Sequence, residues 1–175
     1  MRYFGADIDE QLRKWHDGEF KQEFREKYGT EAAAATQIVR PEWRHLVRFG
    51  EPVPMDWMYN LYIPGSRPEG ELQQNVYFKM QFTLATGMNS AEARYHTDLL
   101  QPGMFPYAGA GIHRGYLGGT SGLLEESDWW VFCRIVDKLA DLRAVAAAPA
   151  IAASKARVRD WKHLLGDPAN LRPAS

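Results

Sequence analysis

The sequence predicts a single α+β domain, with N-terminal helices and a C-terminal helical tail packed against a curved antiparallel sheet around a small-molecule pocket. Three observations predict it. The chain has 175 residues, the size of one ordinary domain. Val76, Phe78, Met80, Phe82 and Leu84 alternate with Tyr77, Lys79, Gln81 and Thr83, a period of two that fits a strand with one buried face. The ends carry helical signals, which divides the domain into N-terminal helices (1–40), a pocket-forming sheet region (42–138) and a helical tail (139–175).

Taken in order, residues 7–28 read as a helix. Asp7 can cap it, Leu12, Trp15, Phe20 and Phe24 form an apolar stripe interrupted at Gly18, and Gly29 ends it. Glu31 to Val39 is alanine-rich and reads as helix up to Pro41. Residues 42–63 are aromatic and broken by prolines into short pieces, and Pro64 to Pro68 is a loop. The strand at 76–84 turns at Gly87-Met88-Asn89-Ser90 and returns over 93–100. Gly111 to Leu117 is a third candidate strand, and the glycines at 118–122 read as a loop. Trp129 to Val136 is dense in β-formers and is read as a last strand, with a helix starting at Ser127 as the competing assignment. Pro149 suits the first turn of a final helix running to about Leu165, and 167–175 is expected to fray.

Composition narrows the function classes. Hydrophobic residues make up 45 % and aromatics 13 %, enough for a real core. A formal net charge of −1 supplies no field for nucleic acid or an anionic membrane surface. Cys133 is the only cysteine, which removes an internal disulfide and any multi-cysteine metal site. The histidines lack the spacing of a helical zinc pair, so no metal is expected, and Gly109, Gly111 and Gly115 lack the strand-then-helix context of a dinucleotide site, so no cofactor is expected. The N-terminus has no apolar signal core and no stretch is long enough to span a bilayer, so a cytoplasmic location is expected.

The chemistry-bearing candidates centre on two histidines. On the expected returning strand Arg94, His96 and Asp98 share a face, and His113 lies on the next candidate strand. If that face is concave, both rings look into one pocket; otherwise they are solvent-facing or sit at a dimer interface. Tyr59, Tyr62, Trp57 and Trp43 either line an aromatic ligand site or belong to the core. Of Trp129 and Trp130, one ring is expected in the core and the other at a cavity, with Trp130 taken as the cavity residue.

Two family resemblances follow from these residues. The strand VYFKMQFTLATG, the segments NSAEARYHTDLLQ and GIHRGYLGG, and the tryptophan pair in DWWVFCRIV resemble the cone-shaped barrel of the nuclear transport factor two-like superfamily. That superfamily includes polyketide cyclases and scytalone dehydratase, in which catalytic histidines lie on neighbouring strands. The resemblance implies a cone-shaped barrel and a homo-oligomer. It also implies catalytic roles for His96 and His113; in a mostly apolar pocket, with Tyr59 supplying a hydroxyl from the aromatic segment, they point to a cofactor-independent lyase or isomerase of aromatic compound catabolism. Tyr62, Trp57, Arg94, Asp98 and Trp130 would then bind the small aromatic substrate. The stretch AGAGIHRGYLGGTSGLLEESDWW is similar instead to the end of the small glycolate-operon and haem-binding family, where a glycine-rich strand leads to SG, acidic residues and a helix. Residues 79–94 echo that family's preceding helix, and this second resemblance implies a flat ligand such as haem, with His96 or His113 as an axial ligand. A non-catalytic dimerisation domain is the third alternative.

Overall fold

The structure, a computed structural model, describes residues 4–165, with side chains described from 7 to 157. Helix α1 (Phe4–Trp15) runs through one π-helical turn, His16–Phe20, into α2 (Lys21–Tyr28). The interruption expected at Gly18 is this turn. It places Trp15 and Phe20, five residues apart, in stacked contact at 5.0 Å between ring centres. Gly29, at φ 87°, closes α2 by donating its N–H to the Arg25 carbonyl.

The sheet contains β1 (Ala34–Val39), β2 (Met58–Ile63), β3 (Ala110–His113) and β4 (Tyr116–Ser121) in the order β2-β1-β4-β3, all antiparallel. Helix α3 (Glu69–Thr86) covers one face, and α1, α2 and α4 (Glu125–Leu165) cover the other. The α+β class is therefore present, but the sheet is open: β2 and β3 end it without closing into a cone-shaped barrel.

Several expected elements change identity, each for a physical reason. Residues 34–39 form the central strand rather than a helix. All six are buried, because β1 is covered on both faces and its small alanines allow close approach. Residues 76–84 lie in α3 rather than in a strand. Val76 and Met80 pack on the sheet with Val39, Met58 and Leu117, while Phe82 packs away from it on Ala93 and Met104. A helix buried on several sides has no single apolar stripe, so its short-range pattern imitates a strand. Glu69 and Glu71 favour its N-terminus, and Gly87 in the left-handed conformation ends it.

Residues 93–100 form two 3-10 turns, Ser90–Tyr95 and Thr97–Leu99, in place of the returning strand. The third candidate strand is a hairpin, turning at Arg114 and Gly115, both at positive φ. Gly118 and Gly119 belong to β4 and not to a loop. A Cβ at Gly118 would sit 2.9 Å from both the Ile38 Cα and the Phe132 ring. The segment 129–136 is helical, as the competing assignment had it. Val131, Phe132, Ile135, Val136 and Leu139 form one buried helical stripe. Pro149 lies inside α4 instead of starting a separate helix, and α4 reaches Leu165. The expected fraying of 167–175 lies outside the described residues. Among the described residues, no helix is long and apolar enough to cross a membrane.

Candidate functional site

Among the described residues, Lys79 and Asp128 form the one ion pair with both partners buried. Lys79 points from α3 toward the start of α4 and is 5 % exposed; Asp128, in the first turn of α4, is 1 % exposed. The Lys79 ammonium donates to Asp128 Oδ2 at 2.7 Å and to the Thr120 carbonyl at 3.2 Å. Asp128 Oδ1 accepts the Leu123 N–H at 2.9 Å. The carboxylate thereby satisfies a backbone donor at the helix start and favours the positive end of the helix. Burial pushes the Asp128 carboxyl up to about 6, against the opposing pull of Lys79 and the Leu123 N–H.

The sequence makes room for this pair at Gly109, whose φ is +116°. A Cβ there would lie 2.8 Å from the Asp128 Cβ and 3.1 Å from Lys79 Nζ. The pair is not sealed. It floors a cavity of about 270 Å³ that also meets Ser121 of β4, Arg67 before α3, and the Phe105 and Tyr107 rings. The Phe105 N–H donates to the Phe78 carbonyl at 3.2 Å, which fastens that loop to α3. Two of the three ammonium hydrogens of Lys79 are used within the protein, and the third has no protein acceptor among the described residues. Ser121 is 4 % exposed, and its hydroxyl likewise has no hydrogen-bond partner among the described residues. The cavity therefore offers unspent donors to an oxygen-bearing molecule.

None of the sequence-selected candidates lines this cavity. His96 lies between the two 3-10 turns, half-buried. His113, at the end of β3, hydrogen-bonds Asp137 of α4 at 2.8 Å and meets the Trp129 ring edge-on. The two histidines do not occupy adjacent strands, so the premise that brought them together is absent. Tyr59 faces the α1/α4 side of the sheet. Its hydroxyl accepts from Arg143 at 3.2 Å, the Arg40 guanidinium lies over its ring, and burial raises its pKa. Trp57 stacks on Trp43 at 5.3 Å, and Trp130 joins the core beside Phe20 under the Lys27 ammonium. Asp98 is exposed in its turn.

Tyr62 and Arg94 come nearest, because each holds a residue that lines the cavity. The Tyr62 hydroxyl donates to the Arg67 carbonyl at 2.8 Å, and Arg94 pairs with Glu125 at 2.6 Å. Lys79, Ser121 and Asp128 were not selected in the sequence: Lys79 sat in the expected strand at 76–84, and Ser121 in the stretch 118–122 read as a loop. No family model matches the chain, and neither a curated protein nor a solved structure matches it.

Proposed function

We propose that this chain is a small-molecule-binding protein of the glycolate-operon and haem-binding type, and that its ligand is a small aromatic acid held over the Lys79–Asp128 pair. The single observation that carries the reading is that a buried ion pair opens onto a cavity. Ion pairs kept only for stability gain nothing from an adjoining void, and an apolar pair in their place is often as stable. The helix at 69–86 and the run from glycine-rich β4 through Ser121-Gly122 into α4 favour this resemblance over the cone-shaped barrel. Lys79, Ser121 and Arg67 supply donors for an acid group, and Phe105 and Tyr107 supply a wall for an apolar ring. At about 270 Å³ the cavity suits a molecule the size of benzoate.

The reading is tested by titrating benzoate into the isotope-labelled protein and following amide shifts. Shifts centred on Ser121, Leu123 and Asn75, lost in Lys79→Met but kept in Asp128→Asn, are expected. Shifts that survive Lys79→Met sink the assignment. A Soret band in protein purified after growth with added haem argues for the flat-ligand alternative.

One observation favours a second, catalytic reading: a carboxyl titrating near 6 beside a cavity is suited to moving a proton at neutral pH. Asp128 would then serve the cofactor-independent lyase or isomerase role expected for the histidines. Exchange of the α-hydrogen of mandelate for deuterium in heavy water, abolished by Asp128→Asn, is the outcome this reading requires.

A further inference from the structure

A second cavity, of about 410 Å³, lies on the opposite flank of α3 and contains no charged side chain in its wall. Gly70, Gln73, Gln74 and Tyr77 recur there at i, i+3, i+4 and i+7, so one helix face forms one side. Met55, Met58 and Val53 form the other. Its one buried polar side chain is Gln37 of β1, 3 % exposed. The hydrogen-bond network fixes which way that amide points. Asn60 uses its Nδ2 hydrogens on the Met55 and Met58 carbonyls, at 2.9 and 3.2 Å, so its Oδ1 must accept. Gln37 Nε2 donates to that Oδ1 at 3.0 Å. The Gln37 carbonyl oxygen is left with no partner among the described residues, on a buried side chain that lines a largely apolar cavity. That oxygen keeps access to the cavity and can accept from a molecule bound there. The Tyr77 ring is held in place by its hydroxyl, which donates to the Glu51 carbonyl at 3.1 Å.

We infer that this cavity is a separate binding site for a neutral, flat aromatic molecule carrying one hydrogen-bond donor, which it gives to the Gln37 carbonyl oxygen. The wall carries no charged side chain to pair with an ion, which favours a neutral ligand. The flexible, polarisable Met55 and Met58 side chains suit the faces and edges of an aromatic ring. At its buried end the cavity offers the Gln37 oxygen as an acceptor, while the Gln37 amide hydrogens are committed, so one donor on the ligand meets it. This site does not depend on the Lys79–Asp128 reading, and neither shares a lining residue with the other.

Indole and benzofuran test it, being nearly the same shape and differing in the donor. In titrations followed by amide chemical shifts, indole is expected to perturb Gly70, Gln73 and Tyr77 and to bind about tenfold more tightly than benzofuran, the worth of one hydrogen bond. Gln37→Leu should remove the preference and leave the two ligands equal. Gly70→Leu should block both, and a Cβ at Gly70 meets no atom within 4 Å, so this variant keeps the fold. Saturating benzoate should not displace indole. Equal binding of the two probes to the wild type, shifts centred instead on Ser121 and Lys79, or no indole binding up to its solubility limit would each overturn the inference.

Discussion

The two flanks of α3 present opposite solutions to cavity building. On one flank, four ionisable side chains (Arg67, Lys79, Glu125 and Asp128) meet around about 270 Å³, and the deepest two are almost fully desolvated. On the other, amides, methionines and a tyrosine surround about 410 Å³ with no charge at all. The difference follows from what each flank faces. The charged side faces the N-terminus of α4, where the positive end of a long helix and a free Leu123 N–H make a buried carboxylate tolerable. The neutral side faces β2 and the 3-10 turn Met55–Trp57, where backbone carbonyls need donors and Asn60 provides them. One helix thus separates an electrostatic environment from an apolar one, and a substitution should have a different cost on each side.

The largest effect is expected at the charged flank. Lys79→Met strands Asp128 in a buried site and should cost about 3–5 kcal/mol of unfolding free energy in urea titrations. Replacing both partners by apolar residues, Lys79→Met with Asp128→Leu, should recover most of that loss. If the single variant is as stable as the wild type, the pair is not the buried charge centre described above.

Next comes the glycine that makes space for the pair. Gly109→Ala forces a side chain into a positive-φ position and against Asp128, at a cost on the order of 2 kcal/mol. The measurement is the same denaturation midpoint. An unchanged midpoint would mean that the Lys79 and Asp128 side chains yield easily.

A third prediction sets the charged flank against the π-helical turn. The Asp128 carboxyl is raised by burial to about 6, above its ordinary value, so its contribution favours the folded state at low pH and is lost as pH rises through 6. Burial lowers the pKa of His16, so its contribution is present above the ordinary imidazole value and is lost as pH falls. The two oppose each other between pH 7 and 5. Asp128→Asn removes the first alone, so between these pH values its stability should fall more than that of the wild type by on the order of 1 kcal/mol. Parallel pH dependences of the two proteins would remove Asp128 as a group titrating near 6.

The smallest effect belongs to the neutral flank. Gln37→Leu deletes an acceptor that has no partner, which offsets the lost bond to Asn60. The net change should stay under about 1 kcal/mol. A larger loss would show that the Gln37 oxygen has a partner in solution.

Much of the frame was legible before any coordinates. The helix over 7–28, its disturbance at Gly18 and its end at Gly29 follow from local rules, because a glycine changes backbone freedom wherever it sits. The loop at 64–68 was legible for similar reasons. The elements misread were those covered on more than one face. Ala34–Val39 lacks alternation because both faces are buried, and α3 lacks a stripe because the sheet and the 93–104 segment enclose it from two sides. Periodicity reports the difference between a wet face and a dry one, and it falls silent where no face is wet.

The candidate site was lost for the same reason. Lys79 looked like a member of the polar face of an alternating strand, and Asp128 was singled out by no motif. His96 and His113 stood out in the sequence because histidine is chemically versatile wherever it occurs. Composition by itself determined the absence of a disulfide, the near-neutral charge and the supply of core residues. Only the tertiary structure decided that a lysine and an aspartate 49 positions apart would share one buried bond. Local sequence encodes backbone preference, whereas the cost of burying a charge depends on which distant group arrives to meet it.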